Sequence, residues 1–457
     1  MRDLSGWMFD RGQLKRLIIP LVIEQFLSAF VGFADTLMVS SAGEHAVSGV
    51  SLVDAINMLI IFVFTALATG GTVTAAQYLG HGDRKSAKSA AHQIFMLTLL
   101  LSAALAAICA PLRGGILRLI YGKVETAVME NASVYFLITG LSYPAIAQFN
   151  TCAALLRVTG NSRQPMEVAA VMNAVNIAGN ALLIYVFHLG AMGAALSTLA
   201  ARVVGFLILW RLMLRPDGAL SLSGYFPFRF NGTMIRNILH IGIPSGLENG
   251  MFQVGKLMVQ GVVTTFGTAA IAANAVANSV VSMATIPGVA IGMALITVVG
   301  QCVGAAEYKQ AKSYMRGMTL LSQGIVTALS LLIILLLRPI MAIFQLTGET
   351  MQTAEYLILL CCGGNILFWS PAFVIPYGLR AASDIRYTML VSITSMWTMR
   401  LGMGYVLSVY LGLGVYGVWC GMLLDWLTRL IFFIWRLHGD RWMRHKIPAH
   451  AGGEEKS

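Results

Sequence analysis

Apolar residues run through this chain in long blocks, broken by short clusters of Arg, Lys, Gly and Pro. Setting the apolar runs against the charged breaks predicts twelve helices, near 16–40, 52–79, 91–112, 130–156, 164–187, 190–212, 237–263, 274–303, 314–337, 352–378, 388–410 and 414–436. Each approaches or exceeds the roughly 20 residues that a helix needs to cross a bilayer. The expected fold class is therefore an all-α integral membrane protein with twelve transmembrane helices, both termini lying on the same side.

Sliding the sequence along itself reveals a duplication. At an offset of 224 residues Pro20 meets Pro244, Glu24 meets Glu248, Gly43 meets Gly267, Gln77 meets Gln301, Gly80 meets Gly304 and Lys88 meets Lys312. Arg157, Arg163 and Met166 meet Arg380, Arg386 and Met389 at 223, and Gly193 meets Gly417 at 224 again. A repeated unit of six helices inserts both copies in the same orientation, giving two six-helix bundles related by an internal parallel duplication and facing each other across a cleft. The expected division is an N-terminal bundle over 1–215, a connecting loop over 216–236 rich in turn residues such as Pro216, Asp217, Gly218 and Pro227, a C-terminal bundle over 237–446 and a tail over 447–457.

Composition narrows the class. Of 457 residues, 57% are hydrophobic and 11% charged, against roughly 25% charged in soluble domains. The net charge of +11 does not call for nucleic acid, because the basic residues punctuate the apolar blocks. Of 31 Lys and Arg, 23 fall in the N-terminal arm, the tail and alternate loops. Four (Arg113, Arg118, Lys123, Arg338) fall in the opposite loops, and Arg202, Lys256, Arg400 and Arg429 fall within spans. That asymmetry predicts cytoplasmic termini. The first apolar stretch carries Glu24 and Asp35, unlike a cleavable leader, so that helix is expected to be retained. The six cysteines lie in apolar runs without metal-ligand spacing, and neither HExxH nor a GxxxxGK[ST] phosphate loop occurs, so no cofactor, zinc chemistry or ATP hydrolysis is expected.

Ionisable residues at membrane depth are costly and therefore informative. Glu24 and Asp35 are eleven residues apart and share one helix face, as do Glu248 and Lys256 at eight. Glu24 and Glu248 either snorkel toward water as structural residues or serve function; Asp35, deeper in its span, points to function. Asp54 and Asp425, near span ends, read as structural, and Arg400 is expected to pair with Asp425. Asn173, Asn176 and Asn180 precede Ser197 and Thr198 on the next helix. Their oxygens suit a hard cation beside a carboxylate, or a hydrogen bond to a protonatable Asp35, or contacts that hold helices together, the last being the commoner role. Pro20 and Pro244, in the first third of matched helices, are candidate hinges. Met251, with Met258, Met283, Met293, Phe252, Phe33 and Tyr143, could form an adaptable apolar cleft wall.

These features resemble the multidrug and toxic compound extrusion (MATE) transporters. The likeness is carried by Pro20 with Asp35, Thr36, Leu37 and Met38; by Gln77 to Gly80; by Arg157, Gly160, Asn161, Pro165 and Met166; and by Asn176, Asn180 and the run from Gly190 to Thr198. The second copy contributes Arg380, Asp384, Arg386, Met389, Gly414, Gly417 and Trp419. The resemblance implies a secondary antiporter that exports amphipathic, often cationic drugs or metabolites in exchange for inward protons or sodium by alternating access. It implies Asp35 as the essential carboxylate with Asn176, Asn180 and Thr198 around it, the place where sodium, if used, would bind. Asn180 departs from the Asp common there, which points to protons. Gln253 stands where other members carry an acid on the seventh helix, and no acid occurs between Asn365 and Ser383. The cleft is then expected to use Glu248, Lys256, Gln253, Met251 and Tyr143, with Lys256 paired to Glu248 or Asp35. Expected partners are small organic substrates and membrane lipid, with no nucleic acid, for a monomer in the cell membrane, a bacterial inner membrane by this likeness. The alternatives are a flippase for lipid-linked saccharides, disfavoured by having few cations at membrane depth, an integral-membrane enzyme, disfavoured by the missing catalytic constellation, and a fixed channel, which suits a duplicated bundle less well.

Overall fold

The computed structural model describes residues 7–444 except 123, 217, 225–229 and 345–347. The expected 447–457 tail, with Arg2, Lys123, Asp217, Pro227, Arg229, Lys446 and Lys456, lies outside the described residues. All twelve expected spans are helical. They are Arg11–Ser40, Glu44–Gly80, Arg84–Tyr121, the pair Thr126–Leu141 and Tyr143–Val158, then Arg163–Val186 and Gly190–Met213. The second set is Gly232–Thr264, Thr268–Gly304, Tyr308–Leu335, Gly348–Ala381, residues 385–410 and Gly414–His438. Nine of these are long and apolar enough to cross a membrane among the described residues. The fourth span falls short because it breaks at Ser142 ahead of Pro144, whose ring cannot continue the preceding ladder. The helices outrun the apolar blocks at their ends, since a helix can carry polar residues past the hydrocarbon. The chain is a multi-pass, all-α membrane protein.

Two compact units emerge, residues 12–246 and residues 247–444 with the arm 7–11, so the boundary falls inside the seventh span just past Pro244. The arm is fixed to the second unit by Met8 N–H to Gln310 Oε1 at 2.9 Å, by Phe9 N–H to the Tyr314 hydroxyl at 3.0 Å, and by that hydroxyl donating to the Phe9 carbonyl at 2.8 Å. The start of the seventh span belongs to the first unit, where it lies so close to the second span that a Cβ on Gly70 would stand 2.4 Å from the Ile238 carbonyl oxygen.

The duplication extends to backbone detail. Among the described residues, His188, Ala306 and Ser383 are the non-glycine residues with positive φ, at 54°, 59° and 64°. Their matched positions in the other copy are Gly412, Gly82 and Gly160, at φ 69°, 82° and 82°. The same left-handed turn is built in both copies, and one copy builds it at a steric cost. The fifth span ends in a π-helical turn, Ala181–Val186, and its counterpart ends in another, Val406–Tyr410. A further π-helical segment, Met396–Met403, has no match in the regular helix Arg163–Asn180. It lies where the repeat offset grows from 223 at Met166 and Met389 to 224 at Gly190 and Gly414, so the extra residue is absorbed as a bulge.

Most notably for the interior, both copies carry one buried ion pair at the same place. Arg157 donates to Glu24 in the first unit, and Arg380 Nη2 donates to Glu248 Oε1 at 2.7 Å in the second. Each ties the first helix of its copy to the end of the fourth.

The turn geometry predicts that His188→Gly, Ala306→Gly and Ser383→Gly each keep or raise thermal stability by relieving about 1 kcal/mol of left-handed strain, part of it returned as unfolded-chain entropy. Gly412→Ala should lower it. A fall in Tm for all three glycine variants of the purified protein would contradict the matched turns.

Candidate functional site

Asp35, in the last third of the first span, is half-buried and faces a cavity of about 160 Å³ within the first unit. Asn180 Nδ2 donates to Asp35 Oδ1 at 2.5 Å, and Asn180 Oδ1 accepts from the Ser197 hydroxyl, which fixes the amide with its nitrogen toward the carboxylate. Asn176, one turn earlier, donates to Thr198 Oγ1 at 3.3 Å, while its own Oδ1 is buried with no hydrogen-bond partner among the described residues. The four residues Asp35, Asn176, Asn180 and Thr198 are thus brought together. They form a carboxylate with neutral oxygen donors beside it, a set suited to a proton or a small hard cation. No group of three or more His, Cys, Asp or Glu that could hold a metal ion occurs among the described residues.

Three further residues that the sequence did not assign to this site also line the cavity: Asp54, Tyr135 and Arg202. Tyr135 donates its hydroxyl to Asp54 Oδ1 at 3.2 Å, and Arg202 donates to Ser142 Oγ at 2.7 Å. Asp54 was expected to be structural because it stood at an apolar block's edge; the helix begins ten residues earlier, at Glu44, which carries it inward. Arg202 carried a readable signal, a cation inside a span.

The C-terminal residues are placed differently from expectation. Glu248 is buried and held by Arg380, so it forms no pair with Lys256. Among the described residues no carboxylate pairs with Lys256, whose Nζ lies 5.8 Å from the centre of the Phe252 ring. Arg400 does not take Asp425, because Arg429, one turn along the same helix, reaches it at 2.7 Å, and Ser395 Oγ also donates to it at 2.6 Å. Tyr143, expected in a cleft wall, is fully buried in the first unit and donates to Asn57 Oδ1 at 2.7 Å. Gln253 and Met251 are half-buried on the seventh span, and Pro20 and Pro244 lie inside continuous helices. All six cysteines are free thiols.

The geometry describes a duplicated helical membrane protein, and comparison with known proteins gives its family and its class as a transporter. The MatE family model matches twice, over residues 20–182 and 244–406, with both matched ends 224 residues apart, and the chain belongs to that family. Its members are transporters, not enzymes, and need no cofactor. The chain is 29% identical to the uncharacterized transporter YisQ of Bacillus subtilis over 93% of both chains. It is 27% identical to the probable multidrug resistance protein NorM of Thermotoga maritima, over 93% of this chain and 92% of that one. Solved structures of MATE in the straight and bent conformations superpose with TM-scores of 0.87 and 0.86, at 21% and 20% identity, over 93% and 94% of this chain and 96% and 95% of theirs. They establish the fold.

If the Glu248–Arg380 pair is a structural clasp, Glu248→Gln should destabilise the purified protein by about 3 kcal/mol or more, because a buried guanidinium is left uncompensated. The double variant Glu248→Met, Arg380→Met should recover most of that loss in thermal unfolding. A Glu248→Gln protein as stable as wild type would assign this acid to something other than architecture.

Proposed function

We propose that this chain is a secondary antiporter that exports amphipathic organic compounds, cations among them, in exchange for inward protons, by alternating access of its two halves. The observation that carries this is the contrast between Asp35 and the other buried acids. Glu24, Glu248, Asp384 and Asp425 are each held by an arginine, whereas Asp35 faces a cavity and is held by the Asn180 amide. A carboxylate clasped by a guanidinium already has its counter-charge. One held by an amide can gain and lose a proton without stranding a buried cation.

Asn180 in place of a carboxylate beside Asp35 favours the proton over sodium, because Asp54, the other acid of this cavity, is engaged by Tyr135 and the oxygens next to Asp35 are neutral. Asn176 Oδ1 and Thr198 would receive the ion or its water. The name of the Thermotoga maritima relative, a probable multidrug resistance protein, supports drug-like substrates. With Glu248 occupied, substrate contact falls to Gln253, Met251 and Lys256 on the seventh span, with Pro20 and Pro244 as bending points. The excess of 23 Lys and Arg over four favours cytoplasmic termini, in a monomer of the bacterial inner membrane.

The test is reconstitution into vesicles with a proton or a sodium gradient imposed alone, following a fluorescent organic cation. The proton gradient should drive accumulation and the sodium gradient at constant pH should not. Asp35→Asn should reduce proton-driven transport by about a hundredfold or more, to the leak rate, at normal expression and folding. Retained proton-driven transport in that variant, or a strict sodium requirement in wild type, would overturn the reading.

A further inference from the structure

The cavity that holds Asp35 has a duplicate. Within the second unit lies a cavity of about 330 Å³ lined by Lys256, Gln260, Asn274, Asn278, Arg400 and Trp419 among others. Its positions are those of the first cavity moved by one repeat. Gly32, Asp35, Thr36 and Asp54 stand 224 residues before Lys256, Val259, Gln260 and Asn278, and Thr198 stands the same distance before Met422. Duplication has kept the hole and exchanged its chemistry. Both carboxylates of the first copy are gone, Asp35 to an apolar Val259 and Asp54 to a neutral Asn278, and a lysine replaces Gly32.

The second cation arrives by a separate route. Arg400 stands where the first copy has Asn176, and it lies inside the π-helical segment Met396–Met403 that absorbs the extra residue of this repeat. Such a bulge rotates the side chains that follow it onto another face, and bulges of this kind gather at functional sites. Arg400 and Lys256 stand 5.7 and 5.8 Å from the centre of one ring, that of Phe252. Arg429 shares the ring at 5.3 Å but is neutralised by Asp425. Neither Lys256 nor Arg400 has a carboxylate partner among the described residues, and Arg400 Nε is buried without a hydrogen bond. Two like charges at membrane depth need a counter-charge, and cation–π contact replaces only part of it.

The remaining polar wall mixes donors and acceptors: Asn278 spends its amide nitrogen on the Asn274 carbonyl at 2.8 Å and keeps its oxygen as an acceptor. Trp419 Nε1 donates to Asn274 Oδ1 at 2.9 Å, and Asn274 Nδ2 donates to Gln260 Oε1 at 3.0 Å, which turns the Gln260 oxygen toward Asn274 and leaves its two N–H donors for a ligand. Apolar Val259 and Met422 complete the wall.

We propose that this second cavity binds the acidic group of an amphipathic organic anion, a carboxylate or sulfonate, between Lys256 and Arg400, with the apolar body against Val259, Trp419 and Met422. Organic acids and zwitterions then belong to the substrate range. The assignment of the bound group to a transported substrate rests on the antiporter reading above; the binding itself does not.

The probe is a matched pair of small aromatic ions, naphthoate and naphthylmethylammonium, titrated calorimetrically against the full chain in neutral detergent. Wild type should bind naphthoate more tightly than the ammonium. Lys256→Gln and Arg400→Gln should each weaken naphthoate binding by about tenfold to a hundredfold, the loss of one charge-assisted hydrogen bond. Val259→Asp, which restores the acid of the first copy, should abolish it. Lys256 is exposed in the cavity, so its substitution leaves the fold intact even where Arg400→Gln does not. Naphthoate binding that survives Lys256→Gln unchanged, or no preference for the anion in wild type, would overturn the proposal. Asp35→Asn should leave naphthoate binding unaltered, so failure of proton coupling and failure of this site are read separately.

Discussion

A charge inside a bilayer must find a partner or a watery cavity, and this constraint sorts the interior of the molecule. Glu24 with Arg157 and Glu248 with Arg380 satisfy it by pairing, at the same place in each copy. Breaking such a pair leaves an ion in a medium that cannot solvate it, a loss of several kcal/mol, so the first helix of each copy is bound to the end of the fourth by necessity. Asp425 with Arg429 and Asp384 with Arg436 extend the pattern in the second unit. What remains outside these clasps, Asp35 with Asp54 and Arg202 in one unit and Lys256 with Arg400 in the other, stands at cavities, where an exchangeable ion or a ligand can supply a missing charge.

Much of this was legible in the residues. The spans could be read because an apolar block of membrane length permits few other structures, and the repeat because matched Pro, Glu, Gly and Arg persist at one offset. The grouping of Asp35 with Asn180, Asn176 and Thr198 was foreshadowed by the family resemblance, whereas spacing alone favoured ordinary contacts between helices. Other contacts depended on features that hydropathy does not encode. Asp54 moved inward because the helix outran its apolar block. Tyr143 became core because the fourth span breaks at Ser142. The Glu248–Arg380 pair joins residues 132 positions apart, yet it had a signal in the sequence, since Glu24 and Arg157 repeat as Glu248 and Arg380. Arg429 four residues after Asp425 was likewise a readable helical pair. Arg400 was hardest, because its direction depends on a one-residue bulge.

Duplication explains how one architecture holds two chemistries. The ion pairs and left-handed turns that build a bundle recur in both copies, down to His188, Ala306 and Ser383 adopting what glycine adopts in the partner copy. The cavity walls diverged. One copy carries the carboxylates Asp35 and Asp54, and the other has neither and carries a lysine and a bulged arginine. The coupling and recognition roles proposed above would be a division of labour that a transporter with two similar halves can acquire by changing a handful of side chains.

Opposite polarity of the two matched cavities is the central claim, and anomalous diffraction from crystals soaked in bromide tests it most directly. The account predicts a bromide peak between Lys256 and Arg400 and none beside Asp35. Bromide beside Asp35, or none in the Lys256 and Arg400 cavity, would contradict it.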